Sequence, residues 1–341
     1  MPLDIAVDMG TAKTVLYSNS KIVLEQPSVA TVDAETLEPL CFGNKAYSMV
    51  GRTPDSVETV FPIEHGLIAD YDVAEQMLTN YMTKSFSKRL VKPRVVVAVP
   101  VNTTSVQNRM IARVIENAGG RKVCTVESPI AAAFGLGIDS TKPEGSMIID
   151  IGAGVTDIAI ITLGRIAEGG SILTASNDFD AAIIKYVKKE FNMSIGPKTA
   201  ENIKKQIGSA VRRRVGLTMV AKGVNQFTGL PETFEITSAH IYKALKDTID
   251  VILKTTKNYI EKAAPDLVAD IIKNGIYLLG GGAQLNGMDE ALSKYLNINV
   301  TLVDDPSHTV VKGAGLVLRN PALLKNCGYR FRSIQEYIID E

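Results

Sequence analysis

Short apolar runs alternate with longer amphipathic stretches along this chain. LDIAVD, RVVVAVP, MIIDIG, DIAIITL and IYLLG are rich in Val and Ile, and each ends at or just before Gly, Pro or an acidic residue, the pattern of strands bounded by turns. Residues 95–99 are apolar without interruption, as expected for a strand covered by helices on both faces. Strands interleaved with helical stretches predict an α/β fold.

A hairpin is expected over residues 3–24, followed by a turn-rich excursion over 27–62. Val73, Met77, Leu78 and Tyr81 recur on one side of a predicted helix at 71–86. A second helix is expected at 104–118, where Val106, Met110, Ile111, Val114 and Ile115 keep helical spacing and Gly119-Gly120 ends it. A short strand follows at 122–126. The opening then recurs: 148–161 reads as strand, glycine-rich turn and strand, with a helix at 179–191. Asp8 and Asp150 hold the same place in the two hairpins, a long-period repeat that predicts two related domains facing each other. Further on, helices are expected at 200–210, 239–263 (with Ser238 as N-cap), 288–296 and 310–319. Residues 216–236 read as turn-rich and strand-like, and NVTLVDDP supplies a late strand. No Ser/Gly-rich tether separates the halves.

Composition narrows the function. The 341 residues are 45% hydrophobic and 22% charged, enough apolar material for more than one core and unlike a disordered or fibrous chain. Thirty-seven basic residues balance thirty-seven acidic ones, so no net field draws the chain to nucleic acid. Cys41, Cys124 and Cys327 are far apart and odd in number, which fits a reducing compartment better than a disulfide framework. His65, His240 and His308 are scattered and read as surface or satisfied polar residues rather than a zinc cluster. Asp4 and Asp8 interrupt the first residues, so a signal peptide is not expected. No apolar stretch approaches the ~20 helical residues needed to span a bilayer.

The candidate chemistry lies in the turns. No GxxxxGK[ST] run exists, and Asp157 stands where GxGxxG would need its last glycine. Instead there are two acidic turns, DMGTAKT at 8–14 and DIGAGVTD at 150–157. Their small residues let backbone N–H groups approach phosphate oxygens while the carboxylates face a divalent cation or its waters. A third glycine run, Gly280-Gly281-Gly282, follows the apolar strand IYLL; by itself it reads equally as a tight strand-to-helix turn. Glu127, between a strand and a small-residue helix starting near Pro129, could orient or deprotonate an attacking water; alone, such a residue is more often a cap or an ion-pair partner.

Taken together, DMGTAKT, QPSVA, VGRTP, GLIADY, KPRVVVAVP, VESPIAAAFGLG, IIDIGAGVTDIA, TAENIKKQIG, TGLPETFEIT and LLGGGAQLNGMDEAL resemble the MreB family of bacterial actin-like proteins, within the actin, sugar-kinase and Hsp70 ATPase superfamily. The resemblance covers nearly the whole chain. It implies a duplicated actin-like, ribonuclease H-like fold with two small subdomains: residues 1–29, 68–141 and 309–341 as IA, 30–67 as IB, 142–178 and 235–308 as IIA, and 179–234 as IIB.

The same resemblance implies ATP or ADP with Mg²⁺ as ligands. Asp8, Gly10, Thr11, Ala12, Lys13 and Thr14 would form the first phosphate loop, and Asp150, Gly152, Ala153, Gly154 and Thr156 the second, with Asp8 and Asp150 supporting the metal. Glu127 aligns with the water-activating glutamate and Thr156 with its helper. Glu201 and Lys204 match positions flanking the nucleoside, and Gly280, Gly281, Gly282 and Ala283 the loop against adenine and ribose. Two departures bear on turnover: Lys13 replaces a usual Asn, and Ser176-Asn177 replaces a Gly-Asp pair. Slow hydrolysis coupled to head-to-tail polymerisation is implied, with filaments on the inner face of the cell membrane, working with cell-shape or wall-synthesis membrane proteins. The segment SFSKRLVKPR, with Phe86, Leu90 and Val91 among Lys84, Lys88, Arg89, Lys92 and Arg94, is the expected membrane loop; its alternative is an ordinary basic loop. For the whole chain, the alternative function is a nucleotide-binding filament scaffold with little or no hydrolysis.

Overall fold

The computed structural model describes residues 4–86 and 91–339. Ten strands build its two large sheets. In the first half they are β1 (Ile5–Met9), β2 (Lys13–Ser18), β3 (Lys21–Pro27), β4 (Arg94–Val99) and β5 (Lys122–Glu127). In the second they are β6 (Ser146–Ile151), β7 (Thr156–Thr162), β8 (Arg165–Ile172), β9 (Ile276–Leu279) and β10 (Val300–Leu302). The sheet orders are β5-β4-β1-β2-β3 and β8-β7-β6-β9-β10. In each, three strands form an antiparallel meander and the first of them also pairs in parallel with a later strand. The repeat expected from Asp8 and Asp150 is therefore a repeat of topology, and the chain has the duplicated actin-like fold.

Alternation of side chains across a strand divides the core into layers. Ile5, Val7, Val95, Val97 and Val99 point to one side, against Met77, Leu78 and Tyr81 of the helix Tyr71–Phe86 and Ile111 and Ile115 of the helix Ser105–Asn117. Ala6, Val96 and Ala98 point to the other, into a cluster that also takes Ile148, Ala159, Ile161 and Leu279 from the second sheet. This shared layer joins the halves, at about 1.5–3 kcal/mol for each fully buried large aliphatic side chain. Its middle is a pair of helices rich in small residues, Ser128–Gly135 and Thr309–Arg319. They meet backbone to backbone: a Cβ on Gly135 would lie 2.4 Å from the Thr309 carbonyl oxygen, and one on Gly313 1.7 Å from that of Ala131.

Each large sheet has a small companion. Ala30–Asp33, Pro39–Phe42 and Val57–Val60 form one, beside the helix Asn44–Met49. Met193–Ser194, Thr218–Asn225 and Pro231–Thr237 form the other, beside the helices Ser176–Phe191 and Pro197–Ile207. Among the described residues no helix is long and apolar enough to cross a membrane.

Two local expectations change. The N-cap of the long helix Ser238–Lys262 is Thr237, whose side chain accepts from the His240 N–H, while the Ser238 hydroxyl accepts from Leu217 N at 3.1 Å. The helix expected at 200–210 runs Pro197–Ile207, because Pro197 is suited to a first turn and Gly208 closes the last. By the same preference Pro265 starts a further helix, Pro265–Asn274, which the sequence pattern did not single out. Arg212, Arg213 and Arg214 lie in the loop after Pro197–Ile207, where Arg213 donates to the Gly208 carbonyl at 3.0 Å.

Candidate functional site

The candidate residues converge at the carboxyl ends of parallel strands, where open α/β sheets hold ligands. Asp8 pairs with Ala98 near the end of β1, and Glu127 with Val99 at the end of β5. Asp150 of β6 lies beside Leu279 of β9, so Gly280 emerges next to it. Two tight turns, 10–12 and 152–155, connect β1 to β2 and β6 to β7. A Cβ on Gly154 would sit 2.7 Å from Thr11 Oγ1 and 3.1 Å from His65 N, so the two turns touch across the molecule.

A clasp not expected from the sequence holds them. At the tip of the hairpin formed by Ile63–Glu64 and Leu67–Ile68, Gly66 N–H donates to Thr11 Oγ1 at 2.9 Å. Its neighbour His65 donates from Nδ1 to the Gly154 carbonyl, which sets its tautomer. His65 is a satisfied polar residue, as expected, but its partner is the second turn of the site, while Gly66 beside it holds the first.

Charge is costly here. Burial pushes Asp8 up to about 6, with Lys13 and His308 pulling the other way. Asp150 is raised well above the carboxylate range by burial and then by the charges of Asp157 and Asp8. Burial also raises Asp157 to about 6, although Ser171 Oγ and Val101 N donate to it. Asp8 and Asp150 thus present one carboxylate from each half, and a cation between the turns would reverse the penalty on both. Among the described residues no group of three His, Cys, Asp or Glu side chains is arranged around one point. Two hard carboxylates fit Mg²⁺, which usually keeps several waters and takes substrate phosphate as its other ligands.

The remaining candidates divide between cleft and support. Ala12 is exposed on the first turn. Thr14 is fully buried behind it, its hydroxyl 2.9 Å from Ser28 Oγ, which in turn donates to the Gly10 carbonyl. Thr156 is likewise buried and spends its proton on the Thr174 carbonyl at 2.8 Å. Lys13 is ion-paired with Glu25 and lies 3.4 Å from His308 Nε2, so it is neither a free solvated lysine nor unpaired in the cleft. The carbonyls of Gly152 and Ala153 accept from Ser176 N and Asn177 N, at 3.2 and 2.8 Å, which is the turn role available to Asn177. Lys204 ion-pairs with Asp180 and donates to Ser176 Oγ, while Glu201 pairs with Lys205 and accepts from Tyr47 OH at 3.1 Å. Lys198 donates to the Tyr47 carbonyl at 2.6 Å. These last contacts join the two small sheets' helices across the cleft.

Of the glycine run, Gly280 and Gly282 are buried and Gly281 is exposed, with Ala283 buried behind. Glu127 accepts from Tyr329 OH, a partner no local pattern pointed to. Of the expected membrane loop, Phe86 packs against the first half's core and Val91 is 54% exposed, while Leu90 lies outside the described residues.

Comparison with known proteins agrees with this geometry. The family profile described as MreB/Mbl protein matches residues 2–326. The cell shape-determining protein Mbl of Bacillus subtilis is 38% identical over 319 residues, which is 93% of this chain and 96% of that protein. The crystal structure of MreB5 of Spiroplasma citri bound to ADP superposes with a TM-score of 0.90 at 32% identity, covering 95% of this chain and 98% of that one. The same protein bound to AMPPNP gives 0.89 over 96% and 98%. The MamK double helical filament, 19% identical with a TM-score of 0.80, shares the fold.

Proposed function

The chain belongs to the MreB/Mbl family, and from that membership we propose that it is a slow, Mg²⁺-dependent ATPase that assembles head to tail into filaments beneath the cell membrane and organises cell shape or wall synthesis. The observation that carries the reading is the meeting of Asp8 and Asp150 from opposite halves, each disfavoured as an anion, between two turns that touch through Gly154 and Thr11. An apposed pair of desolvated carboxylates asks for a cation, and the turns beside them suit the phosphates that would share it.

In this reading the backbone amides of the two turns hold the β- and γ-phosphates. Asp8 and Asp150 support Mg²⁺, directly or through its waters, and bound Mg²⁺ supplies neutralisation of the charge that develops on the phosphoryl oxygens. Glu127 orients a water in line with the γ-phosphate and accepts its proton. Thr156, buried and donating to the Thr174 carbonyl, helps from behind by holding the second turn beside that water. The nucleoside lies between the exposed edge at Gly281 and the helix bearing Glu201 and Lys204. Polymerisation and hydrolysis are coupled when subunit contacts favour one nucleotide-dependent angle between the halves.

For membrane attachment, exposed Val91 with Lys84 and Lys92 supplies an apolar and basic edge for an anionic lipid surface. Phe86 is tied into the core of the first half. Liposome co-sedimentation of Val91→Glu against wild type tests that part.

The central test compares polymer mass by pelleting and phosphate release in ATP, in a non-hydrolysable analogue, and after Glu127→Ala. ATP-dependent polymer with Glu127-sensitive phosphate release is expected. Polymer without phosphate release in wild type assigns the chain to the scaffold class, and a monomer at every protein concentration refutes both.

A further inference from the structure

Glu127 is held from an unexpected direction. After the helix Pro321–Asn326 the chain turns at Gly328, in the left-handed region at φ 82°, and comes back alongside β5. There Arg332 N–H donates to the Val123 carbonyl at 2.9 Å and Val123 N–H to the Arg332 carbonyl at 2.8 Å. This one-residue extension of the sheet fixes the segment at the start of the strand whose last residue is Glu127. Between the turn and the bridge, Tyr329 reaches Glu127 Oε2 with its hydroxyl. The family profile's match stops at residue 326, so the contact comes from a part of the chain outside the matched region.

What lies behind the carboxylate gives the contact a purpose. A cavity of about 250 Å³ is lined by Ser105, Asn108, Thr125, Glu127, Tyr329 and Arg332 among others, with room for several waters. Arg330 and Arg332 line the same cavity, so it carries donors that compete for a mobile carboxylate. A phenol that donates to one carboxylate oxygen removes that freedom and leaves the other oxygen as the acceptor for a substrate water. Burial, and then the charge of Glu127, push the Tyr329 phenol well above the tyrosine range, so it stays protonated and can only donate to that oxygen. Charge-assisted bonds of this kind are the strong ones.

We propose that Tyr329 is a positioning residue for ATP hydrolysis, holding Glu127 by one oxygen so that the other faces the attacking water. The proposal rests on the reading of Glu127 as the water-orienting carboxylate, and the test separates the two. Phosphate release at saturating ATP and pelleted polymer mass are measured for wild type, Tyr329→Phe, Glu127→Ala and the double variant. Tyr329→Phe keeps the ring that packs against the cavity wall and removes only the donor, and a thermal melt checks its fold. The expected result is about a tenfold slower release for Tyr329→Phe, the scale of one hydrogen bond to a charged group, with the half-saturating ATP concentration and polymer mass unchanged. The double variant should be no slower than Glu127→Ala, because Tyr329 acts only through that carboxylate. A wild-type rate for Tyr329→Phe beside an inactive Glu127→Ala overturns the proposal and spares the reading. So does a further loss in the double variant. A wild-type rate for Glu127→Ala overturns the reading and the proposal together.

Discussion

Two adjacent glycines offer the sharpest test of the cleft, because their surroundings demand different outcomes from the same added methyl group. Gly280 has φ 92°, and a Cβ there would lie 2.3 Å from the Ile151 carbonyl oxygen and 2.4 Å from Asp150 Oδ1. Both are far inside van der Waals contact, and the first belongs to backbone that cannot swing away. The left-handed conformation costs an L-residue roughly 1–2 kcal/mol, and forcing an extra carbon into packed surroundings about 1–3 kcal/mol more. Gly280→Ala should therefore destabilise the fold by about 2–5 kcal/mol and displace Asp150. Gly281 has no positive φ, and its nearest neighbour would be Ser307 Oγ at 3.9 Å. Gly281→Ala should stay within about 0.5 kcal/mol of wild type, as surface changes do, and Gly281→Val should lower ATP affinity at unchanged melting temperature if the nucleoside lies along that face. Thermal unfolding without nucleotide, followed by titration with a fluorescent ATP analogue in Mg²⁺, reads both quantities. A Gly280→Ala protein with wild-type melting temperature and affinity refutes the packing argument. Gly281→Val with wild-type affinity refutes the placement of the nucleoside.

Other expectations follow from the paired charges. Lys204 and Asp180 are only 10% and 15% exposed, so Lys204→Met should cost about 3–5 kcal/mol by stranding Asp180, and Lys204→Met with Asp180→Leu should recover most of it; equal melting temperatures for the single and double variants contradict this. Tyr47→Phe removes the 3.1 Å bond to Glu201 across the rim and should speed nucleotide release by roughly threefold to tenfold, the range of about 0.5–1.5 kcal/mol for one hydrogen bond, as read in stopped-flow displacement; an unchanged rate means the rim contact does not gate exit. Asp157 rises from 3.8 to about 6 on folding, so the native state binds its proton more tightly and this residue's contribution is most favourable at acid pH and declines as pH rises between those values. In nucleotide-free protein Asp157→Asn should flatten that decline and raise stability at pH 7.5 by up to about 3 kcal/mol; a parallel pair of stability curves against pH disproves it.

The large sheets were legible because β4 and the start of β1 are buried on both faces, which leaves an unbroken apolar run that few other structures need. The acidic turns were legible because each is local: carboxylate, small residues and following strand lie within eight positions. Thr14 was placed in the first phosphate loop, but β2 has begun by then and its register opposite Met9 and Gln26 sends the hydroxyl inward; period-two alternation from Val15 carried that information too weakly to separate it from the loop. His65 and Tyr329 were not found, because each acts on a group far away in sequence and neither sits in a pattern of its own. The only local sign of His65 was the Gly after it, which allows the left-handed tip at φ 74°. Lys204 and Glu201 were matched to positions flanking the nucleoside, yet their spacing cannot distinguish a nucleoside contact from the ion pairs they make.

The helix pair at the centre of the shared layer sets how the molecule can bend. Where Gly135 meets Thr309 and Gly313 meets Ala131 with no side chain between them, the helices cannot slip lengthwise without backbone striking backbone, and they cannot part without opening the layer. The motion left is rotation about the crossing, which makes it a fulcrum. Displacement then grows with distance from that point, least near the helix pair and most at the outer edges of the two small sheets. The angle between the halves is thus governed from within, by two glycines that face this chain's own backbone rather than a neighbouring subunit.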